Sequence, residues 1–361
     1  MHVGMMTSWG IRCGLAGYAA FLLEPMTASD NVKATVLGPI EAASDVGPYP
    51  VSRCWARHEP RTAEVVADVR GRGIDIVEIQ YQPAFLTPEE LLEIVSGLAA
   101  VGVPAAVVIH SLPKRPLASV GRWPESTSFI FHRDADVALT PEGCRGLMIP
   151  LGSAERIPAD RKSLLEAAGL EGRGPILAGF GYLQPHKGVV EMLRAMPRIL
   201  EHYPDAVYVA LSTAQSTSVS LSYYRECVAE IGALGLKEHA VILGRFLDDA
   251  EAMVALQVAD VIVLPYSQTP EAASGPLGYA LSSGRPVLTT AQPIFVAGGA
   301  PVFEIASGSP DDIAAGVLTL LADPARMEDL GARGAAWGEE RSWTAMAARH
   351  VELFREMLKA T

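Results

Sequence analysis

Residues 260–290 read DVIVLPYSQTPEAASGPLGYALSSGRPVLTT, and this stretch decides the fold. Two short apolar runs, at 260–265 and 286–290, lie on either side of a helical segment at 276–283. A strand, a helix and a second strand in this order are typical of a parallel sheet with a crossover helix. The stretch therefore predicts one repeat of an α/β fold.

The same alternation extends over the rest of the chain. The other apolar runs are continuous, as expected for strands that are covered on both faces. Further strands are predicted at 2–7, 34–38, 74–80, 105–110, 136–140, 146–150, 175–181, 206–212 and 240–244. Further helices are predicted at 60–71, 88–101, 187–203, 219–235, 248–257 and 343–359. We therefore expect two doubly wound units, each built around a parallel sheet.

A segment rich in Gly, Pro and charge separates the two units. It covers residues 152–174 and has the composition of a linker. We expect one Rossmann-like domain over residues 1–165 and a second over residues 166–342. Two such domains in tandem leave a cleft between them, and ligands bind beyond the carboxyl ends of the strands.

The composition excludes several classes of protein. The 361 residues are 49% hydrophobic and 19% charged, which is too apolar for a disordered chain. A net charge of −12 argues against nucleic acid and anionic lipid as partners. No segment reaches the roughly 18 to 20 apolar residues of a membrane helix. The first residues lack the features of a signal peptide. The cysteines form no CxxC pair, so their spacing indicates neither a zinc site nor a disulfide framework. We expect a cytoplasmic protein with reduced thiols and without a transmembrane segment, for which peripheral contact with a membrane stays open.

The loop after the strand at 260–265 gives the strongest indication of a ligand. Ser274 can cap the following helix, Gly275 lets the backbone approach a ligand, and Pro276 suits the first turn. A short helix that directs N–H groups and its positive dipole end at a cleft is a candidate phosphate site. An ordinary capped helix is the alternative.

Two further loops carry charge or glycine where a strand ends. In GFGYLQPHKG (179–188), Lys187 is expected in the first helical turn, where a cation is unfavourable unless it holds an anion. A phosphate would supply that anion, and a solvated lysine is the alternative. At the amino end, Gly10 and Gly14 allow a close approach of the backbone to a ligand, but they do not form the GxGxxG motif. Turn-forming glycines are the alternative there.

Two side chains are candidates for direct chemistry. His110 ends the strand at 105–110, where a residue that faces the cleft belongs, although histidines at strand ends also serve as structural hydrogen-bonding groups. Glu271 precedes Ser274 by three residues and could accept hydrogen bonds from sugar hydroxyls, with an exposed loop glutamate as the alternative. We expect no metal site, because the sequence contains no cluster of His, Asp and Cys and no DxD at a strand end.

Residues 175–322 resemble the carboxy-terminal donor domain of glycosyltransferase family 4, the retaining enzymes of the GT-B fold that use nucleotide sugars. In that family a G-R-L-x-x-x-K-G element and an E-x7-E element flank the nucleotide sugar. Lys187 stands at the lysine of the first element, with Gly181 at its start, and Glu271 stands at the first glutamate of the second. VVIHSL, which contains His110, resembles the strand that ends in the family's active-site histidine. The segment that starts at Trp343 resembles the terminal helix, here about 343–361, that packs back on the first domain.

Two positions depart from the pattern of the family. Tyr182 stands where the family has an arginine that helps to hold the diphosphate, and Tyr279 stands where it has the second glutamate, which commonly holds the ribose. Diphosphate binding is then expected to depend on Lys187 and the turn at 274–276, with Arg245 as a possible substitute cation. Tyr182 and Tyr279 stay candidate donor-site residues, because Tyr279 lies one turn into the helix and its phenol could stack on the base or hydrogen-bond the ribose.

The resemblance implies a retaining glycosyltransferase that moves a hexose from a nucleoside diphosphate sugar to a hydroxyl acceptor without a metal or other cofactor. It implies an amino-terminal acceptor domain and a carboxy-terminal donor domain. The loops at 40–59 and 111–126 are the expected acceptor site, and a glycan, a lipid-linked sugar or a small molecule would fit them equally. A catalytically silent nucleotide-sugar-binding subunit and a GT-B sugar-nucleotide epimerase are the alternatives. The sequence does not specify the oligomeric state.

Overall fold

The computed structural model describes residues 1–11, 14–28, 31–42, 47–215, 217–269, 273–296 and 299–360. The chain divides into two compact units. The first contains Met1–Gly152 and Trp343–Thr361, and the second contains Ser153–Thr269 and Ser274–Ser342. The division falls at Gly152, earlier than the domain boundary that the linker composition suggests at 165.

The described residues of the first unit form a parallel sheet with helices on both faces. Its strands are β1 (His2–Met6), β2 (Lys33–Pro39), β3 (Val51–Trp55), β4 (Ile76–Tyr81), β5 (Ala105–Ile109), β6 (Thr127–Phe131) and β7 (Arg145–Met148). Its helices are α1 (Gly14–Thr27), α2 (Thr62–Arg72), α3 (Pro88–Ala100) and, at the end of the chain, α12 (Trp343–Ala360). The strand order is β3-β2-β1-β4-β5-β6-β7, and each neighbouring pair is parallel.

Apolar side chains cover both faces of this first sheet. On one face, α1 and α12 pack side chains such as Leu22, Met346 and Phe354 against the strands. On the other face, α2 and α3 contribute Val65 and Leu91. Continuous apolar strands are what two covered faces require.

The described residues of the second unit form a second parallel sheet. Its strands are β8 (Ile176–Tyr182), β9 (Val207–Thr213), β10 (Ala240–Ile242), β11 (Val261–Leu264), β12 (Val287–Thr290) and β13 (Phe303–Ile305). Its helices are α4 (Arg161–Ala167), α5 (Val189–Leu200), α6 (Ser218–Ala233), α7 (Asp249–Leu256), α8 (Gly275–Ser282), α9 (Pro293–Val296), α10 (Pro310–Leu321) and α11 (Pro324–Glu340). The strand order is β10-β9-β8-β11-β12-β13.

Both sheets have the strand order of the doubly wound fold, in which the order reverses beside the first strand. In the first sheet the reversal lies between β1 and β4, and in the second it lies between β8 and β11. Ligands of such sheets bind beyond the carboxyl ends of the strands at the reversal. The prediction of two Rossmann-like units is confirmed.

Several local predictions were wrong. Residues 136–140 are not a strand, because Asp134–Leu139 is a 3₁₀ helix. There the Arg133 guanidinium donates to both oxygens of Asp136, at 2.7 and 2.9 Å, and this contact three residues apart needs a turn. The predicted linker contains α4, which was missed because it buries no residue. Among the described residues, no helix is both long and apolar enough to cross a membrane.

Candidate functional site

Two of the loops predicted to bind a ligand meet at the strand reversal of the second unit. Gly181 lies near the end of β8 with a φ of 118°, and a Cβ at this position would lie 3.0 Å from the Pro276 side chain. The carboxyl end of β8 and the amino end of α8 are therefore in close contact. Glycine at 181 permits both the backbone angle and this approach.

The amino end of α8 has the cap that the sequence predicts. Ser274 Oγ accepts a hydrogen bond from the Leu277 N–H at 3.3 Å, and Pro276 occupies the first turn. This cap leaves few donors for an anion, because Pro276 has no N–H and the Leu277 N–H is already used. Among the described residues, the Gly275 N–H has no partner, and no atom lies within 4 Å of a Cβ placed there. The site at α8 thus offers one open N–H and the positive end of the helix dipole.

Lys187 lies on the same edge of the sheet, just before a helix rather than in its first turn. It ends a short 3₁₀ turn, Pro185–Lys187, and α5 starts at Val189 after Gly188. Lys187 Nζ lies 4.0 Å from the centroid of the Tyr266 ring, which holds the ammonium group by a cation–π contact. Gly188 has a φ of 71°, and a Cβ there would lie 2.5 Å from the Pro265 carbonyl oxygen. The backbone after β8 is therefore packed directly on the loop after β11.

Two other predicted donor-site residues are engaged within the protein. Arg245 Nη1 donates to both carboxylate oxygens of Glu251, at 3.0 and 2.9 Å. The Tyr279 hydroxyl donates to Asp249 Oδ1, and burial raises the pKa of that carboxyl. A carboxylate of α7 therefore accepts a hydrogen bond from each of these two side chains.

Aromatic rings surround these loops. Tyr182, at the end of β8, stacks on Phe246 with ring centroids 6.4 Å apart and ring planes 29° apart. Phe246 is 66% exposed, which is unusual for so large an apolar side chain. Phe180 packs against Tyr279 at 5.4 Å. We call Tyr182 and Phe246 the aromatic shelf. Phe246 was not predicted as a site residue, although it lies in the loop after β10, where a ligand-facing residue is expected.

A cavity of about 410 Å³ lies beside Gly188. Residues after β11, β12 and β13 line it, among them Ser267, Gln292 and Ser309, together with Glu191 from α5. Polar and apolar atoms contribute to its walls in similar proportion. Among the described residues, no group of three His, Cys, Asp or Glu side chains could hold a metal ion.

In the first unit, the structure places His110 directly after β5. Its Nε2 lies 2.7 Å from Gln80 Oε1, and the ring packs edge-on against Tyr18 at 4.7 Å. Burial lowers the pKa of His110 well below its usual value near 6.5, and the neighbouring His132 and His350 lower it further. His110 is therefore a neutral imidazole at pH 7.

The remaining predicted residues lie elsewhere. Gly10 has a φ of 84° after β1, and Gly14 starts α1 at a point where nothing lies within 4 Å of an added Cβ. Both residues belong to the first unit. Glu271 lies outside the described residues.

Comparisons with known proteins agree with this architecture. Residues 174–323 match the family model described as Glycosyl transferases group 1. A search of curated proteins finds no match.

Solved structures are similar over nearly the whole chain. HepE of Anabaena in complex with UDP has a TM-score of 0.76 at 14% identity, over 99% of this chain and 100% of that one. Sucrose-phosphate synthase from Thermosynechococcus elongatus has a TM-score of 0.74 at 16% identity, over 100% of both chains. The E. coli trehalose-6-phosphate protein bound with UDP-2-fluoro glucose has a TM-score of 0.70 at 13% identity, over 98% of this chain and 99% of that one.

At these identities the structural likeness establishes the fold, and the predicted GT-B architecture is confirmed. The narrower assignment to family 4 stays a prediction. The chain thus has the GT-B fold, and its residues 174–323 match the family described as Glycosyl transferases group 1.

Proposed function

We propose that the protein is a retaining glycosyltransferase that moves a hexose from a nucleoside diphosphate sugar to a hydroxyl acceptor. The observation that carries this proposal is the contact between the end of β8 and the amino end of α8, where Gly181 meets Pro276. This contact places a cation-bearing loop and a helix N-terminus at one strand reversal, where a diphosphate would find both.

Lys187 is the main cation for the diphosphate in this proposal. The Gly275 N–H and the dipole of α8 contribute, but the cap leaves them too weak to hold two phosphates alone. Arg245 is held by Glu251, so it is a secondary candidate at most. Since Lys187 and the helix supply positive charge, we propose that transfer needs no divalent cation.

The aromatic shelf of Tyr182 and Phe246 is the proposed contact for the nucleobase. Aromatic side chains bind bases through offset stacking, and an exposed ring gains apolar contact when a base covers it. HepE has been crystallised with UDP-glucose, so UDP-glucose is the first donor to test.

The reaction we propose breaks the bond between sugar C1 and the diphosphate oxygen early. The sugar then carries oxocarbenium-like charge, and negative charge accumulates on the leaving phosphate, where Lys187 and α8 stabilise it. The acceptor oxygen attacks from the face that the diphosphate leaves, and its proton passes to the leaving phosphate. This front-face route retains the configuration at C1. We propose that His110 positions a hydroxyl of the sugar or the acceptor.

A catalytically silent nucleotide-sugar-binding subunit is the second candidate. Its support is Tyr279, which stands where the family has a ribose-binding glutamate and whose hydroxyl donates to Asp249.

We also propose a cytoplasmic location, because the described cysteines Cys54, Cys144 and Cys227 are free thiols.

The test starts with calorimetric binding of UDP-, GDP-, ADP- and TDP-sugars to the full chain. The preferred donor is then incubated with candidate acceptors in the presence and absence of EDTA. Sugar release or transfer with retained configuration, unaffected by EDTA, would support the proposal. Tight donor binding without turnover would favour the silent subunit, and conversion of the donor without any acceptor would favour an epimerase.

A further inference from the structure

A chain of hydrogen bonds runs through the first unit from the last helix to His110. His350, on α12, has its Nδ1 2.9 Å from Glu78 Oε2. The other carboxylate oxygen of Glu78 accepts from Gln80 Nε2 at 2.5 Å. Gln80 Oε1 in turn lies 2.7 Å from His110 Nε2. Glu78 and His350 are completely buried, and Gln80 is 5% exposed.

The carboxylate fixes the direction of this chain. The NH₂ group of Gln80 donates to Glu78 Oε1, while Glu78 Oε2 lies against His350 Nδ1. The opposite orientation would place the amide oxygen against the carboxylate oxygen inside the protein core, where such a repulsion is strong. The amide oxygen of Gln80 therefore faces His110, and a carbonyl oxygen can only accept.

We infer that Glu78 and Gln80 are positioning residues, which hold His110 as the neutral tautomer with its proton on Nε2 and the lone pair of Nδ1 available to substrate. Among the described residues, Nδ1 of His110 has no hydrogen-bond partner. His110 then accepts a hydrogen bond from a hydroxyl and does not donate one through this atom. This role deepens the proposed function, on which it rests for the identity of the hydroxyl.

The neighbouring histidine provides an internal contrast. His132 Nδ1 lies 2.9 Å from the Ile149 carbonyl oxygen, which can only accept, so His132 carries its proton on Nδ1. The ring centroids of His110 and His132 are 5.2 Å apart, and different partners hold the two rings as opposite tautomers. The Ile149 carbonyl fixes the tautomer of His132. The Glu78 carboxylate fixes the tautomer of His110 through the Gln80 amide.

Other groups around His110 favour the neutral ring. Tyr18 from α1 packs edge-on against it, the His132 ring after β6 has its centroid 5.2 Å away, and His350 on α12 further disfavours its protonation. Glu78 is the nearest carboxylate of the chain of hydrogen bonds, but Gln80 separates it from the imidazole. Protonation of His110 would therefore place a cation beside two other histidines.

The test is nitrogen NMR of the imidazoles in the full chain. The pattern of long-range proton–nitrogen couplings distinguishes the two neutral tautomers and the doubly protonated ring. His110→Asn identifies the signals of His110 among the eight histidines. We expect His110 to be protonated on Nε2 alone at pH 7. A wild-type ring protonated on Nδ1, or on both nitrogens, would overturn the inference without any variant.

Glu78→Gln tests the direction of the chain with little change in shape. A glutamine at 78 can both donate and accept, so the Gln80 amide can take either orientation. We therefore expect His110 to become a mixture of its two neutral tautomers. We expect kcat to fall at least about tenfold, while KM for the donor changes by less than about threefold. Thr127→Val is the matched control, because its buried hydroxyl on β6 has no hydrogen-bond partner among the described residues. An unchanged His110 tautomer in Glu78→Gln would overturn the inference.

Failure of the proposed function gives a different result. The NMR spectra would then still show His110 protonated on Nε2 in wild type and as a mixture of tautomers in Glu78→Gln, while the wild-type chain would transfer no sugar. If the chain is a transferase that does not use His110, His110→Asn would transfer sugar as well as wild type. The spectra report the positioning, and the kinetics of His110→Asn report whether that positioning serves catalysis.

Discussion

His110 and Lys187 both follow a strand of a parallel sheet, but different parts of the chain hold them in place. Buried side chains hold His110, through Gln80 and Glu78. At Lys187 the backbone is positioned by the close approach of Gly188 to the Pro265 carbonyl, and the ammonium group lies over the Tyr266 ring. The two candidate sites should therefore respond differently to pH and to added side-chain volume.

The difference follows from what each site has to do. A histidine that must present one nitrogen needs partners that specify a tautomer, and only polar side chains or carbonyl groups can do so. An anion site needs N–H groups and a cation at a strand end, which glycines and a helix terminus supply. The site around His110 is thus sensitive to protonation, and the site around Lys187 is sensitive to a Cβ added at Gly181 or Gly188.

The largest expected effect is that of Lys187→Ala. Loss of one charge-stabilising group from a desolvated diphosphate should cost about 2–4 kcal/mol of transition-state stabilisation, or about 10² to 10³ in kcat. Steady-state kinetics with the preferred donor would measure it, and the melting temperature should be nearly unchanged. This variant shows how much of the stabilisation of the leaving phosphate comes from the Lys187 side chain.

Lys162→Ala is the matched control, because Lys162 is 80% exposed and its ion pair with Glu166 spans 3.8 Å. It should leave kcat unchanged. Turnover by Lys187→Ala within about threefold of wild type would mean that the backbone of α8 holds the phosphates without the lysine.

The second prediction concerns acid and the first unit. Burial lowers the pKa of His132 to about 4, against about 6.5 in an unfolded chain. Between these values the unfolded state binds more protons, so stability falls as the pH falls through this window. At about pH 5 the loss from His132 alone is about 2 kcal/mol relative to neutral pH. Urea denaturation at the two pH values measures it.

His132→Asn keeps an N–H donor for the Ile149 carbonyl but removes the titration, so its stability should depend less on pH. His202→Asn is the control, since His202 is exposed in the second unit. An equal acid loss in wild type and His132→Asn would show that other groups cause it.

Short-range signals explain what the sequence predicts correctly. The cap of α8 by Ser274 and the capping box of α3 at Thr87 each involve residues three positions apart, so both can be read from the sequence. The repeated strand–helix order likewise predicts two parallel sheets. The position of Lys187 is predicted to within one turn, and the structure moves it from the helix to the 3₁₀ turn before it.

Contacts between distant residues explain what the sequence misses. His350 and Glu78 are 272 positions apart, and no local pattern joins them. Arg245 and Tyr279 are expected to face a ligand because of their positions after a strand and in a helix. Their partners, Glu251 and Asp249, are fixed only by the folded arrangement of α7.

The third prediction tests the backbone contact of the second site. Gly188→Ala forces a left-handed residue and brings its Cβ against the Pro265 carbonyl. Gly235→Ala is the matched control, because Gly235 has a similar φ of 69° but nothing lies within 4 Å of a Cβ there. The left-handed backbone should cost about 1–2 kcal/mol in both variants. Gly188→Ala should lose additional stability in urea denaturation, and it should also lose kcat. Equal stability of the two variants would contradict the close contact.

The smallest expected effect is that of Tyr279→Phe, which tests whether this tyrosine replaces the ribose contact of the family. Its hydroxyl donates to Asp249, a carboxyl that is partly buried, so removal leaves that carboxyl without this donor. We expect a loss of about 1 kcal/mol of stability, which is the typical net value of one hydrogen bond. Nucleotide affinity, measured by calorimetry, should stay unchanged.

Two further variants show which role Tyr279 has. Asp249→Asn keeps an acceptor for the hydroxyl and should cost less stability than Tyr279→Phe, because the amide of asparagine can still accept from the phenol. Tyr279→Ala also removes the ring contact with Phe180 and should cost more than either. A nucleotide affinity that falls in Tyr279→Phe but not in Asp249→Asn would mean that the hydroxyl leaves Asp249 for the ribose when the donor binds. The site around Lys187 and α8 would then use the Tyr279 side chain to recognise the nucleotide. It would differ less from the site around His110, which depends on buried side chains.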